Sequence, residues 1–235
     1  CWTMLATSIL TVVAFPFLVV AMGLLFIDRQ IGGGIYDTEA GPLIYQYLFW
    51  FYGHPVVYSW FFPALGAAAE VIAVFCRRRF FGYHVLIVAI AVFTGLSLTI
   101  GAHHMFATGR VTNEYFALST LALIIPAGVE YFDSLGTMWR AKIRFTTPML
   151  FALGFLVQFL IGGLTGVILA APPLNYQFTD SYFVVGHFHY TAFAGALFGL
   201  FAAIYYWFPK VTGFRPSERF GKVHFWVLVA GTNMT

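Results

Sequence analysis

Apolar runs of about 20 residues or more recur along nearly the whole sequence, each long enough to cross a ~30 Å hydrocarbon core as a helix. Inside lipid every backbone N–H and C=O must be paired, which leaves helices or a closed barrel. The polar/apolar alternation that a barrel strand needs is missing, so the runs are read as helices. They fall at about Trp2 to Ile27, Leu43 to Phe75, Tyr83 to Phe106, Tyr115 to Trp139, Thr146 to Ala171 and Ser181 to Phe208, and a further apolar segment begins at Phe225. The expectation is an all-α integral membrane protein, a polytopic bundle of six complete transmembrane helices plus the start of a seventh, with residues 1–235 as one membrane domain. Composition excludes an ordinary water-soluble domain, since 60% of residues are hydrophobic and 9% charged. Cys1 in place of an initiator Met, and the apolar segment opening shortly before Thr235, are read as marks of an internal piece of a longer chain. The two cysteines, Cys1 and Cys76, suit neither a disulfide framework nor a thiolate metal site.

Charge orients the helices. Apart from Arg29 and Arg110, the 12 Lys and Arg residues lie in alternate loops: Arg77 to Arg79, then Arg140, Lys142 and Arg144, then Lys210, Arg215, Arg219 and Lys222. By the positive-inside rule those loops face the cytoplasm. The intervening loops carry Asp28, Asp37, Glu39, Glu114 and Asp180 and face outward. The net charge of +3 is therefore topological, and nucleic-acid binding is excluded as its use.

Histidine is uncommon inside membrane helices, and an ionisable group there is a pointer to function. Five of the 7 histidines qualify. His54 lies ~16 Å down an inward-running span, and His187 and His189 lie ~9–12 Å down another, counting 1.5 Å per residue. His103 and His104 end an outward-running span, so all five share the outer half of the membrane. A lone buried histidine is more often a hydrogen-bonded core residue than a ligand; five from separate helices at one depth point to metal, for which imidazole suits copper, iron and zinc. Residues i and i+2 on an α-helix point ~200° apart, so His187 and His189 serve different centres. His103 and His104 are ~100° apart and can reach one ion together with His54. Tyr58 follows His54 by one turn on the same face, placed to donate a proton or electron. His84 and His224 lie near the cytoplasmic edge and are read as interfacial.

The motifs WFYGHPVVY, GAHHMFATG, TMWRAKIRFTTPMLFALGF and VVGHFHY, in that order, resemble subunit I of the haem-copper oxidase superfamily, from its fifth transmembrane helix through its tenth and into its eleventh. The resemblance implies two haems, one low-spin and one high-spin, and a copper called B, in a terminal oxidase that reduces O2 to water with electrons from cytochrome c or quinol. It implies that His54, His103 and His104 bind copper B, that His187 is the axial ligand of the high-spin haem and His189 of the low-spin haem, and that Tyr58 matches a tyrosine linked covalently to the first copper ligand. Trp50 matches an aromatic position beside the site, and the second low-spin haem ligand is expected outside this stretch. Implied partners are oxidase subunits II and III in a lipid bilayer, here a bacterial cell membrane rather than a mitochondrial inner membrane. Departures are equally informative. Val56 stands where the commonest motif has a proton-passing glutamate, and Ala69, Ala127 and Glu130 replace the serine, threonine and lysine of the other proton path. Glu70 follows Ala69, so Glu70 and Glu130 are read as an acidic proton entry, with proton pumping left open. Asp180 matches a ligand of a non-redox Mg or Mn site, although Thr179 replaces the preceding histidine. Alternative functions are nitric oxide reduction, in which iron replaces copper and the tyrosine is absent, and a non-catalytic membrane haem electron carrier.

Overall fold

The computed structural model describes residues 1–234 and is helical throughout, with no strand among the described residues. The elements are α1 (Trp2–Ile31), α2 (Gly41–Cys76), α3 (Tyr83–Ser97), a 3-10 segment (Gly101–Thr108), α4 (Asn113–Leu121), α5 (Ile124–Met138), α6 (Thr147–Ala170), α7 (Pro172–Phe178), α8 (Tyr182–Phe188), a π-helical segment (His189–Gly195), α9 (Ala196–Thr212) and α10 (Glu218–Asn233). Six helical stretches are long and apolar enough to span a membrane: Trp2–Ile31, Gly41–Cys76, Tyr83–Thr108, Asn113–Met138, Thr147–Ala170 and Tyr182–Thr212. α10 is the expected opening of a seventh.

Three of the spans are not uniform α-helix, and each departure has a local cause. The third span leaves α geometry after Ser97, where hydroxyls compete for backbone carbonyls: Thr94 donates to Ile90 O, Ser97 to Thr94 O and Thr99 to Leu96 O. The fourth breaks between α4 and α5, just before Pro126, which lacks an N–H and crowds the carbonyl four residues back. The sixth passes from α8 into the wider π-helical turn at His189, the kind of local bulge that recurs at functional sites.

α2 is the most buried span and packs against α1, α3, α5, α6 and α9. Small residues set these approaches, as is usual where lipid supplies no hydrophobic drive between helices. A Cβ on Gly199 of α9 would strike the backbone of Ala64, so the two helices meet almost backbone to backbone. Around that contact Phe61, Phe62, Phe93, Phe151, Phe155 and Phe198 form a buried aromatic core.

The basic loops, read above as cytoplasmic, are tied by polar contacts. The Arg78 guanidinium donates to the carbonyls of Trp139 (2.7 Å) and Arg140 (3.2 Å), joining the α2–α3 and α5–α6 connections. The Glu218 carboxylate accepts from the Thr147 backbone N–H and hydroxyl, both at 3.1 Å, so the first turn of α10 caps the first turn of α6. Glu218→Ala is therefore expected to destabilise the α6–α10 pair by about 1 kcal/mol, the size of a lost helix cap. Thermal unfolding in detergent should show a lowered midpoint; an unchanged midpoint would mean the cap is energetically silent.

Candidate metal centre

Three of the five histidines expected in the outer half of the membrane converge. His54 sits on the buried face of α2 at 6% exposure. His103 and His104 come from the 3-10 segment, drawn onto α2 because Gly101 has no Cβ to strike the Trp50 carbonyl. At 3.0 residues per turn, neighbouring side chains there diverge by ~120° rather than the ~100° expected of an α-helix. The two rings nevertheless lie 4.3 Å apart between centroids, and His54 lies 4.4 Å from His103 and 5.3 Å from His104. One ring nitrogen from each of the three falls within 4.8 Å of the others, the grouping of three or more His, Cys, Asp or Glu ligands found among the described residues.

Hydrogen bonding fixes how one of these rings can act. The Thr120 hydroxyl donates to Phe116 O (2.5 Å), so it can only accept from His103 Nδ1 (2.9 Å), which leaves His103 Nε2 with its lone pair. His54 Nδ1 and His104 Nε2 face each other at 3.1 Å, and Trp50 stacks on His104 at 3.9 Å with the rings 11° from parallel. His54 Nε2 is buried with no hydrogen-bond partner. A polar atom orphaned in this way is costly unless further chemistry uses it. The Tyr58 ring lies edge-on to His54, centroids 4.6 Å apart. Three imidazoles whose ring nitrogens lie within 4.8 Å of one another, with no competing carboxylate, fit a copper ion.

His187 and His189 point to different surroundings, as their spacing requires. His187 Nδ1 donates to Gly162 O (3.0 Å) and lies 3.0 Å from the Thr165 hydroxyl, which itself donates to Gly162 O. A backbone carbonyl only accepts, so Nε2 is the free nitrogen. Gly166 leaves room for this ring, since a Cβ there would come within 3.0 Å of His187 Cε1. His189 Nδ1 donates to Val185 O (2.8 Å), again freeing Nε2, and faces a cavity of about 310 Å³ shared with Phe193, His224, Val227 and Leu228. Two imidazoles, each held through Nδ1 and open at Nε2, fit axial haem ligands.

Other expected residues lie elsewhere. His224 packs on Phe201 and Phe151, bonds the Tyr205 hydroxyl at 3.1 Å and lines the His189 cavity. Glu70 and Glu130 do not pair. Glu70 is exposed on α2, whereas Glu130 is 2% exposed and its charged neighbour is Asp133. Asp180 is exposed at a left-handed turn (φ 58°), and among the described residues it belongs to no group of three or more His, Cys, Asp or Glu ligands. Thr120, Thr165, Gly162 and Asp133 went unnoticed in the sequence; the run GGLTG at 162–166 was the one signal, a small-residue face able to admit a bulky neighbour.

The chain resembles known proteins along its whole length. A family model described as Cytochrome C and Quinol oxidase polypeptide I matches residues 1–235. The chain is 51% identical over 235 residues to a probable cytochrome c oxidase subunit 1-beta of Nocardia farcinica, covering 100% of this chain and 40% of that protein. It is 50% identical over 235 residues to a putative cytochrome c oxidase subunit 1-beta of Streptomyces avermitilis, and 46% identical over 237 residues to cytochrome c oxidase subunit 1 of Corynebacterium diphtheriae. Each of these covers 100% of this chain and 42% of the relative, so the chain spans about two fifths of its curated relatives. A heme-copper terminal oxidase dimer solved by cryo-electron microscopy shares the fold, with a TM-score of 0.72 at 23% identity over 88% of this chain and 41% of that one.

Proposed function

Because the chain belongs to the Cytochrome C and Quinol oxidase polypeptide I family, we propose that it forms the catalytic core of a respiratory terminal oxidase reducing O2 to water in a bacterial cell membrane. The observation that carries this reading is the meeting of His54, His103 and His104, from α2 and the 3-10 segment, with their ligand nitrogens within 4.8 Å. These three would hold copper B, His187 the high-spin haem and His189 the low-spin haem. When bound, the metals supply the oxygen-binding place and the electrons, drawn from cytochrome c or quinol through neighbouring subunits.

The chain's own residues orient and protect. Thr120 keeps His103 in the tautomer with Nε2 open, and Gly162 does the same for His187. Trp50 restrains the exposed His104 by stacking. Phe62 and Phe93 flank Tyr58, with ring centroids 6.5 and 4.7 Å from its own. Tyr58 is placed beside His54 to give up its phenolic proton and an electron, and to be restored afterwards. That position favours oxygen over nitric oxide as substrate.

Carbon monoxide added to the reduced, purified complex tests the reading. A shifted haem band is expected, abolished by His187→Ala and retained in His189→Ala, whose low-spin band is lost instead. A native complex with no carbon monoxide response would contradict it.

A further inference from the structure

The ring of His187 is held by more than its tautomer requires. One backbone carbonyl suffices to keep a proton on Nδ1, and His189 is that simpler case, donating to Val185 O at 2.8 Å within its own span. His187 is held instead from another helix, by two groups about one turn apart on α6. Its Nδ1 lies 3.0 Å from Gly162 O and 3.0 Å from the Thr165 hydroxyl. Gly166 keeps the room for this arrangement, since a Cβ there would come within 3.0 Å of the ring.

The Thr165 proton decides how these groups share. The hydroxyl donates to Gly162 O at 2.7 Å, so toward His187 it can only accept. Gly162 O has two lone pairs and three claimants: the Thr165 hydroxyl, the His187 N–H and, by the α-helical pattern, the N–H of Gly166. The carbonyl alone is therefore an incomplete partner for His187, whereas the Thr165 oxygen has lone pairs to spare. The N–H is shared between two acceptors. A hydroxyl that gives its own proton away is also the better acceptor, because the chain N–H···O–H···O=C polarises along its length. A threonine bonded back to its own helix is ordinary, but this one carries an imidazole on its oxygen. Thr120 does the same for His103 while donating to Phe116 O.

We propose that Thr165 is a positioning residue for His187, making Nε2 a stronger ligand and fixing the plane of the ring. This rests on the reading of His187 as the axial ligand of the high-spin haem. Acceptors behind an imidazole raise the basicity of the nitrogen that faces the metal. A more basic axial nitrogen favours oxidised iron, so Thr165 holds the potential of that haem down. Two acceptors also restrain the rotation of the ring, which a single one leaves free.

The test uses the intact, purified complex carrying Thr165→Val, which keeps the branched shape without the hydroxyl, or Thr165→Ser, which keeps the hydroxyl without the branch. Resonance Raman spectra of the reduced complex should show the iron–histidine stretch of the high-spin haem at lower frequency in Thr165→Val and at its native place in Thr165→Ser. The midpoint potential of that haem should rise in Thr165→Val alone, with carbon monoxide still bound by both variants. If Thr165→Val takes up no haem, Thr165→Ala is compared with Thr165→Ser, from which it differs by the hydroxyl alone. A lowered stretch in Thr165→Ala, or haem lost from it and kept by Thr165→Ser, supports the role of the hydroxyl. A native stretch in a haem-bearing variant without the hydroxyl, or equal shifts or equal haem loss with and without it, would overturn the proposal and leave the oxidase reading standing. A native complex with no carbon monoxide response would overturn that reading and the proposal with it.

Discussion

His103→Ala is expected to leave an assembled complex that has lost its copper B and, with it, oxygen consumption by more than about 100-fold. The magnitude follows from a lower bound: removing a hydrogen-bond partner behind a metal ligand commonly costs ~10–100-fold, and here the ligand itself is removed. His103 is the most informative of the three, because its tautomer is set by Thr120, which is already committed as a donor to Phe116 O. His54 and His104 keep their mutual approach without it, at 3.1 Å, so the fold of α2 against the 3-10 segment should persist. Metal content and oxygen uptake, measured on the same preparation, check the expectation; retained copper with native turnover would contradict it.

Tyr58→Phe separates metal binding from chemistry. The ring lies 4.7 Å from Phe93 and 4.6 Å from His54 between centroids, and both contacts survive removal of the hydroxyl alone. Haems and copper should therefore be present in native amounts. Turnover should fall by about 100-fold or more, since loss of a positioned proton donor costs ~10²–10⁴-fold. Oxygen consumption and haem spectra on one sample decide, and an active Tyr58→Phe enzyme would remove the tyrosine from the reaction.

Much of this architecture is written in one-dimensional patterns that physical chemistry makes hard to misread. Runs of apolar residues longer than a soluble helix needs have one home, and the six expected runs all appear as helical stretches of spanning length among the described residues. The spacing of His187 and His189 already separated two centres, and the structure turns one toward Gly162 and the other toward α10. What stayed hidden depends on backbone geometry that spacing does not encode. The third span was read as α-helix to its end, yet His103 and His104 stand on a 3-10 segment, because Thr94, Ser97 and Thr99 redirect their hydroxyls to nearby carbonyls. His224 was assigned to the interface by counting along straight helices, an arithmetic that says nothing of which neighbours it packs against. Asp133 was passed over because a carboxylate near a span end ordinarily reaches water; only the packing of Gly82 against it shows that this one is enclosed.

The central claim is that His54, His103 and His104 grip one copper ion. Copper-edge X-ray absorption on the intact complex, taken as the difference between the native protein and a variant with all three replaced by Ala, tests it most directly. A difference of one copper atom per chain, with three imidazole nitrogens around it, is expected. Equal copper in both samples, or a copper environment unchanged by the triple substitution, would contradict it.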